Sequence, residues 1–153
     1  MNPVQKFFVK QVPFAQTIGV TITQSSPGEA CARLPFSPSN VNHVGTIHAG
    51  ALFTLAESAA AASILSTFSD LVPHILLLVT KSSVEYSAPA QGDIVAVASI
   101  SKETEQLVRN TLNQPGDRIR FTVHTEIKRE GADEISALAQ FEMYIKRNEV
   151  DRQ

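Results

Sequence analysis

A 20-residue apolar segment, residues 49–68, constrains the fold of this chain more than any other feature. Thirteen of its residues are Ala, Leu, Ile or Phe, and seven of those are Ala. It contains no proline, and its one glycine, Gly50, lies at its start. Because alanine favours helix and lets neighbouring elements approach closely, the segment predicts a long helix with most of its surface buried. One acid, Glu57, lies near its centre with no basic residue close by in the sequence.

The same segment is long enough to cross a bilayer. Its hydrophobes are mostly alanine, which is a weak one, and a charge near the bilayer centre costs roughly 2.5 kcal/mol or more. Glu57 would carry that charge, so we interpret the segment as the core helix of a soluble domain. The amino-terminal apolar run at residues 7–9 is interrupted by Lys10 and is too short for a signal-peptide core.

Two pairs of segments have the pattern of β-hairpins. Residues 20–24 and 29–36 flank the turn sequence SSPG. Apart from Thr125, apolar residues occupy the odd positions of 119–127 and of 135–145, and mostly polar residues occupy the even ones. This alternation predicts a half-buried antiparallel hairpin.

The remaining segments complete a coarse plan of the chain. Residues 75–86 and 94–101 are predicted strands, and residues 3–12 form a candidate amphipathic helix. Residues 102–113 are ambiguous, with a short helix as one interpretation.

The order of elements is strand, strand, long helix and then about four strands. This order predicts an α+β domain in which an antiparallel sheet covers one helix of roughly 30 Å. With no internal repeat or linker, we expect one domain over residues 1–153. The open edges of such a sheet need protection, so we also expect pairing with a second copy of the chain.

Charge and cysteine content exclude some classes of partner. The net charge of −2 leaves no basic excess to neutralise phosphates, which argues against nucleic-acid and membrane-surface binding. One basic group stands out in the sequence, formed by Arg118, Arg120, Lys128 and Arg129. The single cysteine, Cys31, allows no intrachain disulfide, and we expect a reducing cytoplasmic location.

Two motifs carry a resemblance to a known family. Asn42, the triplet His48-Ala49-Gly50 and Glu57 resemble the signature of hotdog-fold acyl-CoA thioesterases of the PaaI-like type. That family shows Asn, then His-Gly-Gly, then Asp or Glu on its central helix. The stretch YSAPAQGD at residues 86–93 is similar to a second family motif. The order of predicted elements matches the family over nearly the whole chain, and most closely its uncharacterised bacterial branch.

The resemblance implies a hydrolase that needs no metal or organic cofactor and cleaves an acyl-CoA or acyl-carrier thioester. Glu57 is then the general base or the nucleophile. The backbone N–H groups of Ala49 and Gly50, at the helix start, are the donors expected to polarise the carbonyl. Asn42 would donate to the same oxygen or orient the loop, and His48 would donate to the substrate or hold that loop. Burial is expected to raise the pKa of Glu57.

Two positions depart from the family pattern. Ala49 stands where the family often has a glycine; it keeps the N–H but adds a methyl group. Several relatives carry Ser or Thr on the strand after the helix to hold the attacking water. Register puts Val79 there and Thr80 beside it, and a slip of one residue would exchange their faces. Thr80 and Phe53 are the candidate substrate-binding residues.

The spacing of the motif requires a dimer. Nine residues separate His48 from Glu57, which is about 13.5 Å along a regular helix. One thioester group cannot contact both within one chain. If two helices run antiparallel across a two-fold axis, the start of one lies beside Glu57 of the other. We therefore expect composite sites in a homodimer, or in a homotetramer built as a dimer of dimers.

Alternatives remain open from the sequence. The same fold serves hydratases and dehydratases, although their spacing from His to acid is usually longer. It also serves acyl-binding proteins that have lost activity, and the residues at Ala49 and Val79 keep that possibility open. Glu57 could instead be a buried acid held by donors from its own chain. The basic group centred on Arg118 and Lys128 could contact the phosphates of coenzyme A or simply be a solvated sheet edge.

Overall fold

The structure, a computed structural model, describes residues 1–149; residues 150–153 of the predicted domain lie outside the described residues. Its strands are β1 Thr21–Ser26, β2 Glu29–Leu34, β3 Ile75–Tyr86, β4 Ile94–Ser99, β5 Arg118–Arg129 and β6 Ile135–Arg147. Its α-helices are α1 Pro3–Gln11, α2 Pro13–Thr17, α3 Ala49–Thr67 and α4 Lys102–Thr111.

The six strands form one antiparallel sheet in the order β1-β2-β4-β5-β6-β3. The long helix α3 packs against one face of this sheet, mainly over β1, β2, β4 and β5. This is the α+β hotdog architecture that the sequence predicts, with the sheet wrapped around a single central helix.

Helix α3 forms the centre of the core. Most of its side chains are buried, among them Leu55, Ala59 and Ile64, which are fully inaccessible to solvent. By length and composition α3 could cross a membrane, with a mean hydropathy of 1.4 over an 18-residue window. In this fold 67% of that window is buried, which is the environment of a core helix.

Both predicted hairpins are present. β5 pairs with β6 and β1 pairs with β2, in each case antiparallel. Along β6 the odd residues from Ala137 to Ile145 are buried in the core, as the alternation in the sequence indicates. The turn between β1 and β2 places Gly28 at a φ of +92°, a backbone conformation that other residues adopt only with strain.

Two segments differ from the sequence predictions or resolve an ambiguity. The amino-terminal helix ends at Gln11, because Pro13 cannot donate the next helical hydrogen bond and begins α2 instead. The ambiguous segment after β4 is the helix α4. It begins where Ser101 caps it by accepting a hydrogen bond from the Thr104 N–H at 3.1 Å.

The basic group indicated by the sequence is not a cluster. Arg118 is the first residue of β5 and Arg129 is the last, so they lie about 36 Å apart along the strand. Arg120 stacks over the Tyr144 ring at 5.2 Å and lies 3.8 Å from Glu142. The interpretation as a single phosphate-binding group is therefore wrong.

One edge strand of the sheet is covered by a helix, and the other is open in the part of the chain that the structure describes. Along β1, the Gln5 side chain donates to the Ile22 carbonyl at 2.8 Å, and the Asn2 side chain donates to the Ser25 hydroxyl at 3.1 Å. Helix α1 thus covers this edge. The outer edge of β3, a strand of 12 residues, has no strand partner within residues 1–149. Such an edge is a ready surface for pairing with another chain.

Candidate active site

The first turn of α3 is shaped by its own capping residue. His48 has an extended backbone and is the N-cap, and its Nδ1 accepts a hydrogen bond from the Gly50 N–H at 2.9 Å. A ring nitrogen that accepts a hydrogen bond carries no proton, so in the neutral ring the proton lies on Nε2. The exposed His48 therefore holds the helix start with one nitrogen and offers a donor with the other.

This cap changes the role expected of Gly50. Its N–H is engaged by His48, and the N–H groups of Ala51 and Leu52 donate to the His48 carbonyl at 2.9 and 3.1 Å. Among the described residues, the Ala49 N–H has no acceptor. The role of both N–H groups as donors to a carbonyl stays a prediction; in this conformation the His48 ring occupies the Gly50 N–H, and the Ala49 N–H is the one left open.

Asn42 orders the loop before the helix. Its side-chain oxygen accepts from the N–H groups of Val44 and Thr46, both at 3.1 Å, and its amide donates to the Thr46 hydroxyl at 2.8 Å. Its backbone N–H also donates to the Thr46 carbonyl at 2.8 Å. Of the two roles considered for Asn42, this geometry supports the orientation of the loop.

The second sequence motif meets the helix start. The Tyr86 hydroxyl, at the end of β3, donates to the Ala49 carbonyl at 3.2 Å. The Ile47 N–H donates to the Ala90 carbonyl at 2.8 Å. Asn42, Ala49 and Tyr86 line a hollow of about 360 Å³ at this end of α3, and partial burial raises the pKa of the Tyr86 phenol. The two motifs thus build one hollow at the positive end of the helix dipole.

Glu57 lies in a different cavity. The carboxylate opens into a cleft of about 420 Å³ between α3 and β3, where the sheet extends beyond the helix. The cleft walls are otherwise almost entirely apolar, and Leu77, Val79 and Met143 form its sheet side. Within the described part of the chain, no donor bonds to the carboxylate, and burial raises its pKa, as the sequence predicts. The alternative of a buried acid satisfied by donors of its own chain finds no support in these contacts.

The two candidate substrate-binding residues lie elsewhere. Thr80 lies at a bulge between Val79 and Lys81 and faces the outer side of the sheet, where its hydroxyl donates to the Glu142 carboxylate at 2.7 Å. Val79, not Thr80, lines the cleft beside Glu57. Phe53 packs edge-to-face on the core residue Phe141 with ring centroids 5.5 Å apart, and it does not line the cleft. Neither residue lines the cleft within the described part of one chain, and their roles in substrate binding remain predictions.

Sequence reasoning missed most of the cleft. Ser58, Ala61 and Leu65 follow Glu57 along α3, and helical periodicity could have identified them. The end of the cleft is formed by Phe7 and Phe8 of α1 and by Val12, which follows that helix. No local pattern links these residues to Glu57, because only the packing of α1 brings them there.

The predicted catalytic residues thus fall into two groups within one chain. Asn42 and Ala49 line the hollow at the helix start, with His48 and Gly50 exposed beside it, while Glu57 lines the cleft two turns along the same helix. One small substrate group cannot contact both, as the spacing in the sequence indicates.

The fold and the family can now be stated. The fold is that of the hotdog proteins, and the chain belongs to the family described as "Domain of unknown function (DUF4442)", whose model matches residues 2–145. A solved structure from Pseudomonas aeruginosa, described as a protein of unknown function and probable thioesterase, superposes with a TM-score of 0.82 at 24% identity, covering 95% of this chain and 94% of that one. A thioesterase family protein from Silicibacter pomeroyi gives 0.70 at 19% identity, covering 95% and 96%. At these identities the likeness shows the fold alone.

A sequence relative comes from Halobacterium salinarum and is named "Putative esterase". It is 30% identical to this chain over 86 residues. The aligned part is 54% of this chain and 56% of the relative, so the match spans little more than half of either protein.

Proposed function

We propose that this chain is a thioester hydrolase, a PaaI-like acyl-CoA thioesterase that acts as a homodimer. The observation that carries the proposal is Glu57: a carboxylate with a raised pKa and no donor within residues 1–149, facing an apolar cleft. A catalytic acid or base is commonly tuned by burial in this way. The esterase and thioesterase names of similar proteins agree with this class of reaction.

In the proposed reaction Glu57 accepts a proton from a water molecule whose oxygen attacks the thioester carbon. Negative charge then develops on the carbonyl oxygen. The Ala49 N–H, at the positive end of the α3 dipole, is the donor available to stabilise it. When the carbon–sulfur bond breaks, the leaving thiolate takes the proton from Glu57, and the products are a free acid and a thiol.

A direct attack by the Glu57 carboxylate is the other route, and it passes through an anhydride. The two routes differ in where solvent oxygen enters. In a single turnover in water labelled with oxygen-18, the nucleophilic route labels the Glu57 carboxyl when water opens the anhydride at the Glu57 carbonyl carbon, and the general-base route never labels it. Mass spectrometry of the peptide that contains Glu57 distinguishes them.

The dimer is part of the proposal because the two groups of residues lie apart in one chain. The open edge of β3 borders the cleft of Glu57, and it is the edge that α1 leaves uncovered. A second copy paired along β3 would carry the start of its own α3 toward this cleft. Ala49 of one subunit and Glu57 of the other would then form each site, and a homotetramer would double this unit.

The test is thiol release from a panel of acyl-CoA and aryl-CoA thioesters by wild type and Glu57→Gln. We expect turnover on at least one acyl class and a loss of about 10²-fold or more in the variant. Glu142→Gln is the matched control, because it alters an exposed carboxylate on the opposite face of the sheet. Equal turnover by wild type and Glu57→Gln would sink the proposed role of Glu57.

A second candidate function is acyl binding without catalysis. It is favoured by the absence of a hydroxyl at Val79 and by the engagement of the Gly50 N–H with His48. Ser58 does not replace the missing hydroxyl, because its own hydroxyl already donates to the Thr54 carbonyl at 2.7 Å. Tight acyl-CoA binding without thiol release, unchanged by Glu57→Gln, would identify this function.

A further inference from the structure

The cleft beside Glu57 has one polar end and one apolar end. Along α3 it is bordered by Glu57, Ser58, Ala61 and Leu65, which lie on one face of the helix. The Ser58 hydroxyl is committed to the Thr54 carbonyl. Beyond Glu57, the cleft therefore offers hydrocarbon surface and no free hydrogen-bonding side chain among its lining residues, which suits an alkyl chain.

Helix α1 closes the far end of this cleft. Phe7 and Phe8 lie there in an edge-to-face pair with centroids 6.1 Å apart. Phe8 belongs to the core at 3% exposure, whereas Phe7 is 39% exposed. The Phe7 side chain thus forms the end wall of the cleft without being part of the buried core.

A second hollow, of about 150 Å³, lies behind this wall. Phe7, Leu65 and Val72 border both cavities, and Ser69 is among the residues that border only the second. The Phe7 side chain therefore stands between the cleft and this additional space. Truncating it would join the two.

The wall is fixed in position by polar contacts of α1. Asn2 caps the helix by accepting from the Gln5 N–H at 2.9 Å, and the Gln5 side-chain oxygen accepts from the Asn2 N–H at 2.8 Å. The same two side chains bind β1. Because α1 is held in position, the Phe7 side chain limits how far a ligand can extend along the cleft.

The length of the cleft sets that limit. From Glu57 to Leu65 the helix rises about 12 Å. An extended alkyl chain advances about 1.3 Å per carbon, given its bond length and angle, so the distance holds roughly ten carbons. We propose that the cleft binds the unbranched acyl chain of a medium-length acyl thioester and that Phe7 sets the longest chain accepted. This inference rests on the proposed thioesterase function and adds its substrate class.

The test compares straight-chain acyl-CoAs of roughly two to eighteen carbons with wild type, Phe7→Ala and Phe7→Trp. For wild type, kcat/KM should rise by up to about fourfold for each methylene that becomes buried. It should peak near eight to ten carbons and fall at least tenfold by sixteen, since the chain then meets the wall. Phe7→Ala should move the optimum to longer chains, and Phe7→Trp should move it to shorter ones. The control is Phe14→Ala on α2, which removes a side chain that is 67% exposed and lines neither cavity, and it should keep the wild-type profile.

The outcomes separate this inference from the proposed function. Hydrolysis with a flat chain-length profile, a preference for aryl-CoAs, or a profile that Phe7→Ala leaves unchanged would overturn the Phe7 limit and leave the thioesterase intact. If no acyl-CoA is hydrolysed, the thioesterase proposal fails, and calorimetric binding of the same series tests the cleft directly. An affinity that stops rising with chain length near ten carbons, at a length that increases in Phe7→Ala, would still support the Phe7 limit. An affinity without such a change in chain-length dependence would overturn the limit.

Discussion

The Gly50 N–H donates a hydrogen bond to the Nδ1 of His48 at 2.9 Å, so the capping residue of α3 occupies one of the two backbone donors at the helix start. The remaining N–H, that of Ala49, is the donor left for a substrate. Ala49 is also the first residue of the helix. These facts make it possible to remove one N–H group without disturbing the helix.

Ala49→Pro should abolish most of the catalysis and leave the fold intact. Proline is well tolerated as the first residue of a helix. The preceding residue, His48, already has the extended backbone that proline demands, with φ −63° and ψ 139°. Loss of one donor to a developing oxyanion typically lowers kcat by about 10² to 10³. Steady-state kinetics and the circular dichroism spectrum would be measured together.

Ala49→Gly is the matched control for that substitution, because it keeps the N–H and restores the glycine common in the resembling family. It should retain activity within about threefold, the small change reflecting glycine's weaker helix propensity. Full activity in a folded Ala49→Pro protein would mean that the Ala49 N–H does not contact the carbonyl oxygen.

Glu57→Gln should stabilise the protein at neutral pH but not at acidic pH. Burial raises the pKa of Glu57 above its ordinary value of 4.5, so the folded state retains the proton more strongly than the unfolded state. Below that ordinary value the carboxyl is protonated in both the folded and the unfolded state, so its ionisation does not lower the free energy of unfolding. As pH rises toward the folded pKa, the unfolded chain releases its proton first, and wild type loses stability.

The measurement is the free energy of unfolding in urea for wild type and Glu57→Gln at about pH 4 and about pH 7. The advantage of the variant should grow between the two. An advantage that shrinks with rising pH would mean that a donor, for example from a partner subunit, stabilises the ionised carboxylate.

Two buried threonines should respond oppositely to replacement by valine. The Thr125 hydroxyl, at 1% exposure of the residue, has no hydrogen-bond partner within residues 1–149. The Thr67 hydroxyl, at 3% exposure, donates to the Ser63 carbonyl at 2.6 Å and accepts from the Gly28 N–H at 2.9 Å. Thr125→Val therefore removes a buried polar group at no loss of contacts, whereas Thr67→Val leaves the Gly28 N–H without its partner.

We expect Thr125→Val to be neutral or stabilising by up to about 1 kcal/mol, and Thr67→Val to cost about 1 to 3 kcal/mol. Urea unfolding of both variants beside wild type checks the two values. A clear destabilisation by Thr125→Val would indicate that a bound water or another group satisfies this hydroxyl.

The fold could be predicted from the sequence because its patterns are strong and local. The alternation of apolar and polar residues predicts strands β5 and β6 and the face of each that is buried. The alanine-rich composition predicts the helix α3. The ambiguity over α4 arose from its polarity: Val108 is the one buried residue of that helix. Its apolar face is too small for periodicity to identify.

The candidate site was less predictable, because packing decided it. Val79 lines the cleft, as the register in the sequence places it, but the bulge between Val79 and Lys81 shifts the alternation of the rest of β3, and no residue type in that segment signals a bulge. The hydrogen bond from the Gly50 N–H to the Nδ1 of His48 forms only in one side-chain rotamer of His48, which the sequence does not indicate. Phe7 reaches the cleft only through the contacts of α1 with β1. The placement of Glu57 in a cleft separate from Ala49 was predicted, since it follows from helical rise alone.

The proposal of composite sites leads to the most direct measurement: the activity of a heterodimer made from one Glu57→Gln subunit and one Ala49→Pro subunit. Co-expression with two different affinity tags allows its isolation, and wild-type dimers tagged in the same way give the reference. If each site joins Glu57 of one chain to Ala49 of the other, one site is fully intact and the other lacks both groups. The heterodimer should then show about half the wild-type kcat on the best acyl-CoA, although each parent homodimer is nearly inactive. A heterodimer as inactive as its parents would contradict composite sites and place Glu57 and Ala49 outside a shared reaction centre.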